Sequence, residues 1–415
     1  MDEAIARIRD SFVIDESGNV SQGDFIIDEF GNLDLSRGDE DAIHEFKGSN
    51  RVFTRSLQNW HTHLPMMLNR SMGEGLELKE WLETSIFPTE EKVTREMVAV
   101  GVKAAMAEAL RTGTTFVADM YHYPEAIGPI VAEAGLRGVI CGPTTTWPPS
   151  KEGDSGEALR KLEDLISQEQ NERVEYGVAA HAIYTCDEET LCRARDLASK
   201  YGSMLHIHVS ETRAEVSDCY DKTGMYPVEY LDSIDFLDSN VIAAHCGWVK
   251  KNEMRLLASR GVKAVHCPTS NQKLACGGTM SYPAMVEAGV DVRLGTDGPA
   301  SNNGIDMRLE ARNASMIQRH DHWDATILPP VQTWKLATKG SKDWVSWNLD
   351  DIRMRPLGKD GRRILANLIH SSADCLDVIV GKDVLRKDGC SLSLDETATI
   401  TELEQVAQDY YSHIK

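Results

Sequence analysis

Asn59-Trp60-His61-Thr62-His63 is the stretch on which the fold and the chemistry of this chain depend. It ends an apolar run that begins at Val52, and such a run predicts a strand. Because successive side chains of a strand alternate between its faces, His61 and His63 point to the same side, as two ligands of one metal ion must. Taken alone, the pair fits a chance pairing of histidines in a strand equally well. The positions of the other histidines decide between these interpretations.

Short apolar segments alternate with helical segments from Val52 onward, which is the pattern of a parallel sheet built from strand–helix–strand units. The predicted strands span 52–59, 114–119, 137–142, 174–180, 203–209, 241–244, 262–265 and 290–295. Eight parallel strands are the number that closes a barrel. The sequence therefore predicts an α/β fold, a (β/α)8 TIM barrel.

The segments on either side of the barrel predict a small β-sheet. Residues 1–50 hold short apolar runs separated by turn signals such as Glu16-Ser17-Gly18-Asn19, and a hairpin is predicted around Gly381-Lys382. We expect an appended β domain from residues 1–50 plus 350–390, the metal-dependent barrel over 51–349, and a C-terminal helix over 391–415.

The composition of the 415 residues, 41% hydrophobic and 26% charged, is that of a folded globular protein. No segment approaches the roughly 20 apolar residues of a membrane helix, and the acidic start Met1-Asp2-Glu3 does not resemble a secretion signal. Nine cysteines without a Cys-x-x-Cys pair predict buried thiols in a reducing compartment rather than disulfides or a structural zinc site. We therefore expect a cytoplasmic protein without a membrane partner.

The charge balance limits the kinds of molecule that this protein can bind. With 44 basic and 65 acidic residues the net charge is −21, which argues against binding a nucleic-acid backbone and predicts an acidic, solvated surface. The zinc deaminases that edit nucleic-acid bases are also excluded, because their His-x-Glu and Pro-Cys-x-x-Cys signatures are absent from the sequence. We expect a small-molecule substrate and a homo-oligomer.

Polar side chains fall at the C-terminal ends of the predicted strands, the face on which such barrels hold their active sites. In chain order they are His61 and His63 on the first strand, His181 after the fourth, His208 on the fifth, His245 after the sixth, His266 after the seventh and Asp297 after the eighth. A random scatter would place histidines on the helices as well. The sequence thus predicts one site assembled from several strands.

Three neutral imidazoles and one carboxylate suit a divalent transition metal and leave a position open for water, as in catalytic zinc sites. The predicted ligands are His61, His63, His208 and Asp297. His206 shares a strand face with His208 and is the alternative ligand, although buried packing is the expectation for it.

Four other residues could act beside the metal. Glu211, three residues after His208, is placed to shuttle a proton between water and a substrate nitrogen. His245 and His181 are expected to contact substrate or water. His266 fits either the site or the core.

At these residues the chain resembles the amidohydrolase superfamily, and within it the amino-purine and triazine hydrolases closest to 5'-methylthioadenosine/S-adenosylhomocysteine deaminases. The resemblance covers most of residues 50 to 320. The motifs that carry it are Asn59-Trp60-His61-Thr62-His63-Leu64-Pro65-Met66, Ile86-Phe87-Pro88-Thr89-Glu90, His181-Ala182-Ile183-Tyr184-Thr185-Cys186, His208-Val209-Ser210-Glu211-Thr212, Ala244-His245-Cys246, His266-Cys267-Pro268-Thr269-Ser270-Asn271 and Leu294-Gly295-Thr296-Asp297-Gly298-Pro299.

The resemblance implies a (β/α)8 barrel that holds one divalent metal ion, usually zinc and sometimes iron, on the four ligands already named. It further implies that Asp297 accepts a proton from the attacking water, that Glu211 protonates the ring nitrogen, and that His245 orients the water or the tetrahedral centre. His181 would contact the substrate base. Glu90 aligns with a glutamate that binds ribose hydroxyls, so a nucleoside is the implied substrate.

Three functions remain open at this point. The first is a metal-dependent aminohydrolase that deaminates an adenine-like nucleoside or a related amino-heterocycle. The second is a hydrolase of another amino- or chloro-substituted ring of the guanine, pterin or triazine type; Glu211 favours ammonia, because a poor leaving group needs a proton donor and chloride does not. The third, a barrel retained only for binding, is disfavoured by the complete ligand set.

Overall fold

The computed structural model describes residues 4–36, 41–48, 50–148, 151, 153–168, 171–357 and 361–412. Parts of the predicted β domain (1–3, 37–40, 49 and 358–360) and the end of the predicted C-terminal helix (413–415) lie outside the described residues.

Strands and helices alternate through the middle of the chain. The strands are β1 (Ala4–Ile14), β2 (Val20–Ile27), β3 (Leu33–Leu35), β4 (Ala42–Lys47), β5 (Arg51–Arg55), β6 (Leu57–Thr62), β7 (Thr114–Met120), β8 (Arg137–Thr144), β9 (Val174–Ala182), β10 (Leu205–Val209), β11 (Val241–His245), β12 (Lys263–His266), β13 (Asp291–Leu294), β14 (Trp344–Asn348), β15 (Cys375–Val380), β16 (Asp383–Lys387) and β17 (Cys390–Ser391). The α-helices are α1 (Leu78–Trp81), α2 (Phe87–Glu90), α3 (Arg95–Thr112), α4 (Pro124–Glu133), α5 (Ser155–Ile166), α6 (Glu188–Tyr201), α7 (Arg213–Thr223), α8 (Pro227–Ser233), α9 (Lys251–Arg260), α10 (Pro268–Lys273), α11 (Tyr282–Ala288), α12 (Pro299–Asn302), α13 (Met307–His322), α14 (Pro330–Ala337), α15 (Gly361–His370) and α16 (Glu396–Ser412). Shorter 3-10 and π turns span Leu64–Asn69, Leu82–Ile86 and Ile352–Met354.

Strands β6 to β13 form an eight-stranded parallel sheet in chain order. Its two edges meet: the Asp297 amide donates to the His61 carbonyl at 2.9 Å, and the Asn59 amide nitrogen donates to Thr296 Oγ1 at 2.8 Å. A Cβ on Gly295 would lie 2.7 Å from the His61 nitrogen, so only glycine permits this approach. These contacts confirm the predicted (β/α)8 barrel.

A second sheet of nine strands carries the termini, in the order β17-β16-β15-β14-β5-β1-β2-β3, with β4 paired to β1. It includes β5 and β14, which lie inside the range 51–349 predicted for the barrel. The predicted strand 52–59 is therefore wrong as a single strand: the chain changes sheets at Ser56, whose Oγ bonds Thr115 Oγ1 and Ser341 Oγ at 2.6 Å each. No glycine or proline marks this break in the sequence.

Helix boundaries follow local capping signals. The Thr94 side chain accepts from the Met97 amide at the start of α3, and Gly113 ends that helix in the left-handed conformation. Asp187 and Gly202 cap α6 in the same way. Helix α16 packs on α3, and its Tyr410 hydroxyl lies 3.1 Å from the Asn69 amide nitrogen. Within the described residues, no helix is long and apolar enough to cross a membrane.

The barrel interior is filled by small and medium-sized apolar side chains. One cluster of buried residues lies there, consisting of Ala118, Met120, Val139, Cys141, Ala179, Ile242, Val265 and Cys267. Above it, toward the C-terminal ends of the strands, the inward-facing residues become histidines and carboxylates. The lower barrel is thus a packed core that supports a polar site at its upper end.

Candidate metal centre and substrate cavity

Three predicted ligands converge at the end of β6 and in the turn after β13. Asp297 Oδ1 lies 3.4 Å from His61 Nε2 and 3.2 Å from His63 Nε2. The ligand atoms of these three residues all lie within 4.8 Å of one another. The ligand atoms of a second group, His61, His208 and His245, also lie within 4.8 Å of one another, and the two groups share His61. The structure therefore brings all four predicted ligands around one point.

Backbone carbonyls orient two of the imidazoles. His63 Nδ1 donates to the Met120 carbonyl at 2.5 Å, and His208 Nδ1 donates to the His181 carbonyl at 2.8 Å. Each ring therefore carries a proton on Nδ1 and directs Nε2, the atom that would bind a metal, toward the cluster.

Asp297 is held by hydroxyls and a backbone amide. Its Oδ2 accepts from Ser270 Oγ at 2.6 Å and from Ser301 Oγ at 3.1 Å, and its Oδ1 accepts from the Gly298 amide at 2.6 Å. The backbone of Asp297 is left-handed, with φ of 64°, which is uncommon for a residue with a side chain. The backbone of this turn is therefore strained, and its conformation directs the Asp297 carboxylate toward the histidines.

His61 supplies the test of whether a metal fits. Its side chain is fully buried, and its Nε2 has no hydrogen-bond partner among the described residues. A buried polar atom without a partner is costly, and a ligated cation would remove that cost. With three imidazoles and one carboxylate, the donor set suits a divalent transition metal.

His206, the alternative ligand considered from the sequence, lies behind the site. Its Nε2 is 2.9 Å from His61 Nδ1, so it accepts the proton of His61 when His61 Nε2 is directed at a metal. His206 therefore orients a predicted ligand and does not face the site itself.

We expect His206→Leu to weaken zinc affinity by about 10- to 100-fold, because it removes the group that fixes the His61 ring. Competition with a chromophoric chelator measures this affinity. His266→Leu is the matched control, since it removes another buried histidine, and its affinity should equal that of the unaltered protein. Equal affinities for all three proteins would contradict the orienting contact.

His266 points away from the centre. Its neighbours Val265 and Cys267 face the barrel interior, whereas its own Nε2 meets the Gln318 amide nitrogen of α13 at 3.3 Å. Because alternate residues of a strand face opposite sides, His266 belongs to the layer between barrel and helices. This settles the choice that the sequence left open for His266.

His245 and Glu211 face each other across the site. The Asn271 amide nitrogen lies 3.1 Å from His245 Nδ1 and can only donate, so His245 carries its proton on Nε2. That Nε2 lies 3.7 Å from Glu211 Oε2. His245 is therefore a hydrogen-bond donor toward the centre, although it lies as close to His61 and His208 as a metal ligand would.

Glu211 is buried, and its Oε1 accepts from the Cys276 thiol at 3.6 Å. Burial, together with the negative charge of Asp297, raises the pKa of the Glu211 carboxyl well above its usual range. A raised pKa favours the protonated form of this carboxyl, which is the form that a proton donor needs.

A cavity of about 450 Å³ opens above the centre. His63, His208, Glu211, His245 and Asp297 form its floor. Its outer wall is largely apolar and includes Leu78, Trp81, Leu82, Ile86, Phe87 and Pro148. The volume and the few convergent polar groups are typical of a site for a small organic ligand.

The two predicted substrate-binding residues also line this cavity. His181 lies over the floor, with its Nδ1 at 2.9 Å from Thr185 Oγ1 and its ring centroid 4.8 Å from that of His208. Glu90, at the end of α2, also lines the cavity, as does Tyr121. Every predicted site residue except the fully buried His61 thus borders one cavity, and His61 lies in its floor cluster.

Comparison with known proteins identifies the family. The model described as "Amidohydrolase family" matches residues 56–347 of the chain. The chain belongs to the amidohydrolase family. This assignment confirms the predicted resemblance and, with it, the predicted class of enzyme, a hydrolase acting on carbon–nitrogen bonds.

Individual relatives are similar over most of this amidohydrolase. A 5'-deoxyadenosine deaminase of Methanosphaera stadtmanae is 36% identical over 383 residues, covering 89% of this chain and 90% of the relative. A 5-methylthioadenosine/S-adenosylhomocysteine deaminase of Archaeoglobus fulgidus is 34% identical, covering 86% of this chain and 87% of the relative. Both matches include the barrel and part of the second sheet.

Solved structures support the same architecture. An adenosine deaminase from Xanthomonas campestris with bound zinc superposes with a TM-score of 0.92 at 27% identity, covering 99% of both chains. An atrazine chlorohydrolase from Arthrobacter aurescens complexed with zinc gives a TM-score of 0.86 at 19% identity, covering 97% of this chain and 100% of that chain. The second likeness concerns the fold alone.

Sequence reasoning missed several residues that shape the site of this amidohydrolase. Ser270, Ser301, Asn271 and Cys276 hold its acidic and imidazole groups. Ser270, Asn271 and Ser301 stand in or beside motifs quoted above, so position within a motif was an available signal. Cys276 follows these motifs by several residues, and nothing in the sequence marked it.

Proposed function

We propose that this amidohydrolase removes the amino group from the six-membered ring of an adenine-type nucleoside and releases ammonia. The observation that carries the proposal is the buried Glu211, whose carboxyl pKa is raised by burial, lying 3.7 Å from His245 at the edge of the ligand cluster. Relatives over most of the chain are named as deaminases of adenosine derivatives, which supports the same substrate class.

We propose a single divalent ion, zinc in preference to iron, held by His61, His63, His208 and Asp297. When bound, such an ion polarises water so that it can attack at neutral pH. The orphaned Nε2 of His61 and the two rings fixed by backbone carbonyls support this assignment.

The side chains then handle the protons. Asp297 accepts a proton from the attacking water, since its Oδ1 faces the centre while hydroxyls hold its Oδ2. Glu211 gives its proton to the ring nitrogen beside the carbon under attack, which makes that carbon a better electrophile. His245 donates from Nε2 to the oxygen that becomes the product carbonyl. Asp297 then passes the proton that it took from the water to the amino group, and the carbon–nitrogen bond breaks as ammonia leaves. The hydroxyl proton returns to Glu211 as the carbonyl forms, so that water and amine become carbonyl and ammonia.

Glu90 is proposed to accept hydrogen bonds from ribose hydroxyls, and His181 to contact the base. Glu90 lines the same cavity as the proposed metal ligands, so one substrate could reach both when its ring lies over those ligands. The apolar wall formed by Trp81, Ile86 and Phe87 suits a 5' substituent without charge.

We expect Glu90→Ala to raise KM for nucleosides by about 10- to 100-fold, because hydrogen bonds to a carboxylate contribute about 1.5–3 kcal/mol. The same change should spare free bases, which lack the sugar. Steady-state kinetics on a nucleoside and its free base measures both values. An equal rise in KM for the nucleoside and the free base would show that Glu90 does not bind the sugar.

The proposal is tested by incubating zinc-loaded protein with adenosine, 5'-deoxyadenosine, 5'-methylthioadenosine, S-adenosylhomocysteine, guanine, pterin and triazine compounds. We expect ammonia from the adenine nucleosides. Chloride or alkylamine released from a triazine, without ammonia from any nucleoside, would favour the alternative ring hydrolase. If none of these compounds releases ammonia, chloride or alkylamine at one zinc per chain, both the deaminase and the ring-hydrolase hypotheses are refuted.

Three further expectations belong to this proposal. The relatives are enzymes of small nucleosides by name, and we propose a small amino-heterocycle as the partner of this chain too. Cytoplasmic location and a homo-oligomeric state stay predictions. Sedimentation of the purified protein tests the second of them.

A further inference from the structure

The segment from Asn271 to Cys276 touches both groups that handle protons. It follows β12 and contains the end of α10. The Asn271 amide nitrogen donates to His245 Nδ1 at 3.1 Å, and the Cys276 thiol donates to Glu211 Oε1 at 3.6 Å. All four side chains are buried, with exposures from 1% for His245 to 7% for Asn271. Six consecutive residues therefore supply one hydrogen bond to His245 and one to Glu211.

The segment is tied to itself and to the loops that carry its targets. The Cys276 amide donates to the Asn271 carbonyl at 3.0 Å, which joins the backbones of the two residues. The Trp248 indole donates to the Cys276 carbonyl at 2.9 Å, and the Trp248 amide donates to the Ser210 carbonyl at 3.0 Å. Asn271 and Cys276 therefore share a rigid frame with the residues beside His245 and Glu211.

These contacts decide which atoms face the reacting centre. A donor at His245 Nδ1 leaves the ring proton on Nε2, which points at the site. A thiol that donates to Glu211 Oε1 uses that oxygen as an acceptor, so the geometry favours Oε2, 3.7 Å from His245 Nε2, as the oxygen that carries the proton of a protonated carboxyl. Without the two donors, the imidazole could take the other tautomer and the carboxyl could turn by half a rotation.

We infer that Asn271 and Cys276 are positioning residues, which fix the Nε2–H tautomer of His245 and direct the Oε2 proton of Glu211 toward the substrate ring. This inference rests on the proposed deamination for its kinetic consequence. The contacts themselves can be tested without any substrate.

The kinetic test compares Cys276→Ala with Cys276→Ser in the zinc-loaded enzyme. Loss of the thiol donor should lower kcat by about 5- to 20-fold, because the Glu211 carboxyl can then rotate and direct its proton away from the substrate ring. KM and bound zinc should stay unchanged. Serine keeps a donor and should restore most of kcat. Equal damage from alanine and serine would indicate packing alone, and an unchanged kcat in the alanine variant would overturn the inference.

Cys375→Ala is the matched control. Cys375 is also buried, and its thiol also donates to an oxygen at 3.6 Å, the Asp377 carbonyl, but it lies in the second sheet. We expect this variant to lose thermal stability as Cys276→Ala does while keeping its kcat. A fall of kcat in both variants would show that general destabilisation, and not the Glu211 contact, explains the effect.

Two spectroscopic measurements are independent of the substrate. The infrared S–H stretch of Cys276, isolated by subtracting the spectrum of Cys276→Ala, should move to higher frequency in Glu211→Ala, which removes the acceptor. In 15N-histidine spectra, with His245 assigned by its loss in His245→Gln, Asn271→Leu should introduce the Nδ1–H tautomer. An unmoved thiol band and an unchanged tautomer would overturn the inference even if deamination is confirmed. The predicted shifts in a protein that releases no ammonia would instead isolate the failure to the proposed function.

Discussion

Asp297→Asn is expected to abolish turnover, with a loss of at least about 10³-fold in kcat/KM, because one substitution removes both a proposed ligand and a proton acceptor. The amide nearly matches the carboxylate in size, so the fold should survive. It cannot, however, offer a negative charge to a cation or take up the proton of the attacking water. Ammonia release and bound zinc should be measured on the same sample.

Asp291→Asn provides the control for this prediction. Asp291 lies at the opposite end of the same strand, where it pairs with Arg293 at 2.9 Å and with Lys339 at 2.5 Å. We expect that variant to keep its zinc and its turnover. An Asp297→Asn protein that deaminates at the rate of the unaltered enzyme would remove Asp297 from both proposed roles.

Glu211→Gln is expected to lower kcat by about 10²- to 10⁴-fold while KM changes little, because a positioned general acid contributes that much to a proton transfer. The neutral glutamine resembles the protonated carboxyl, the form that burial favours, so substrate should still bind. It has no acidic proton to give to the ring nitrogen. Single-turnover kinetics separates this loss in the chemical step from any effect on product release.

Glu253→Gln is a matched control for Glu211→Gln. Glu253 is fully buried in α9, and burial raises the pKa of its carboxyl as well, but its oxygens accept from the Val228 and Lys250 amides outside the cavity. We expect normal kcat in this variant. If Glu211→Gln turned over at the same rate, the proton donor would have to be another group.

The barrel and the convergence of the proposed ligands could be predicted from sequence because both follow periodic rules. Parallel strands expose their C-terminal ends on one face, so residues that follow successive strands meet there whatever the intervening helices do. His208 and Asp297, separated by 89 positions in the chain, could be paired on that ground alone. Residue type then limited the chemistry to a divalent transition metal.

The parts that could not be predicted depend on contacts without a periodic signal. The apolar run from Val52 to Asn59 continues through the change of sheet at Ser56, because both sheets bury that segment. The outward direction of His266 required the register of β12. The Cys276–Glu211 contact depends on the path of a loop, and the raised pKa of Glu211 depends on burial, which only the folded chain establishes.

The central claim is metal-dependent deamination at a single site of this amidohydrolase. The most direct measurement titrates metal-free protein with zinc and follows ammonia release from 5'-methylthioadenosine against zinc bound per chain. We expect activity to be absent without metal, to rise linearly with bound zinc and to level off at one zinc per chain. Full activity without metal, or no ammonia from any adenine nucleoside at one bound zinc per chain, would contradict it.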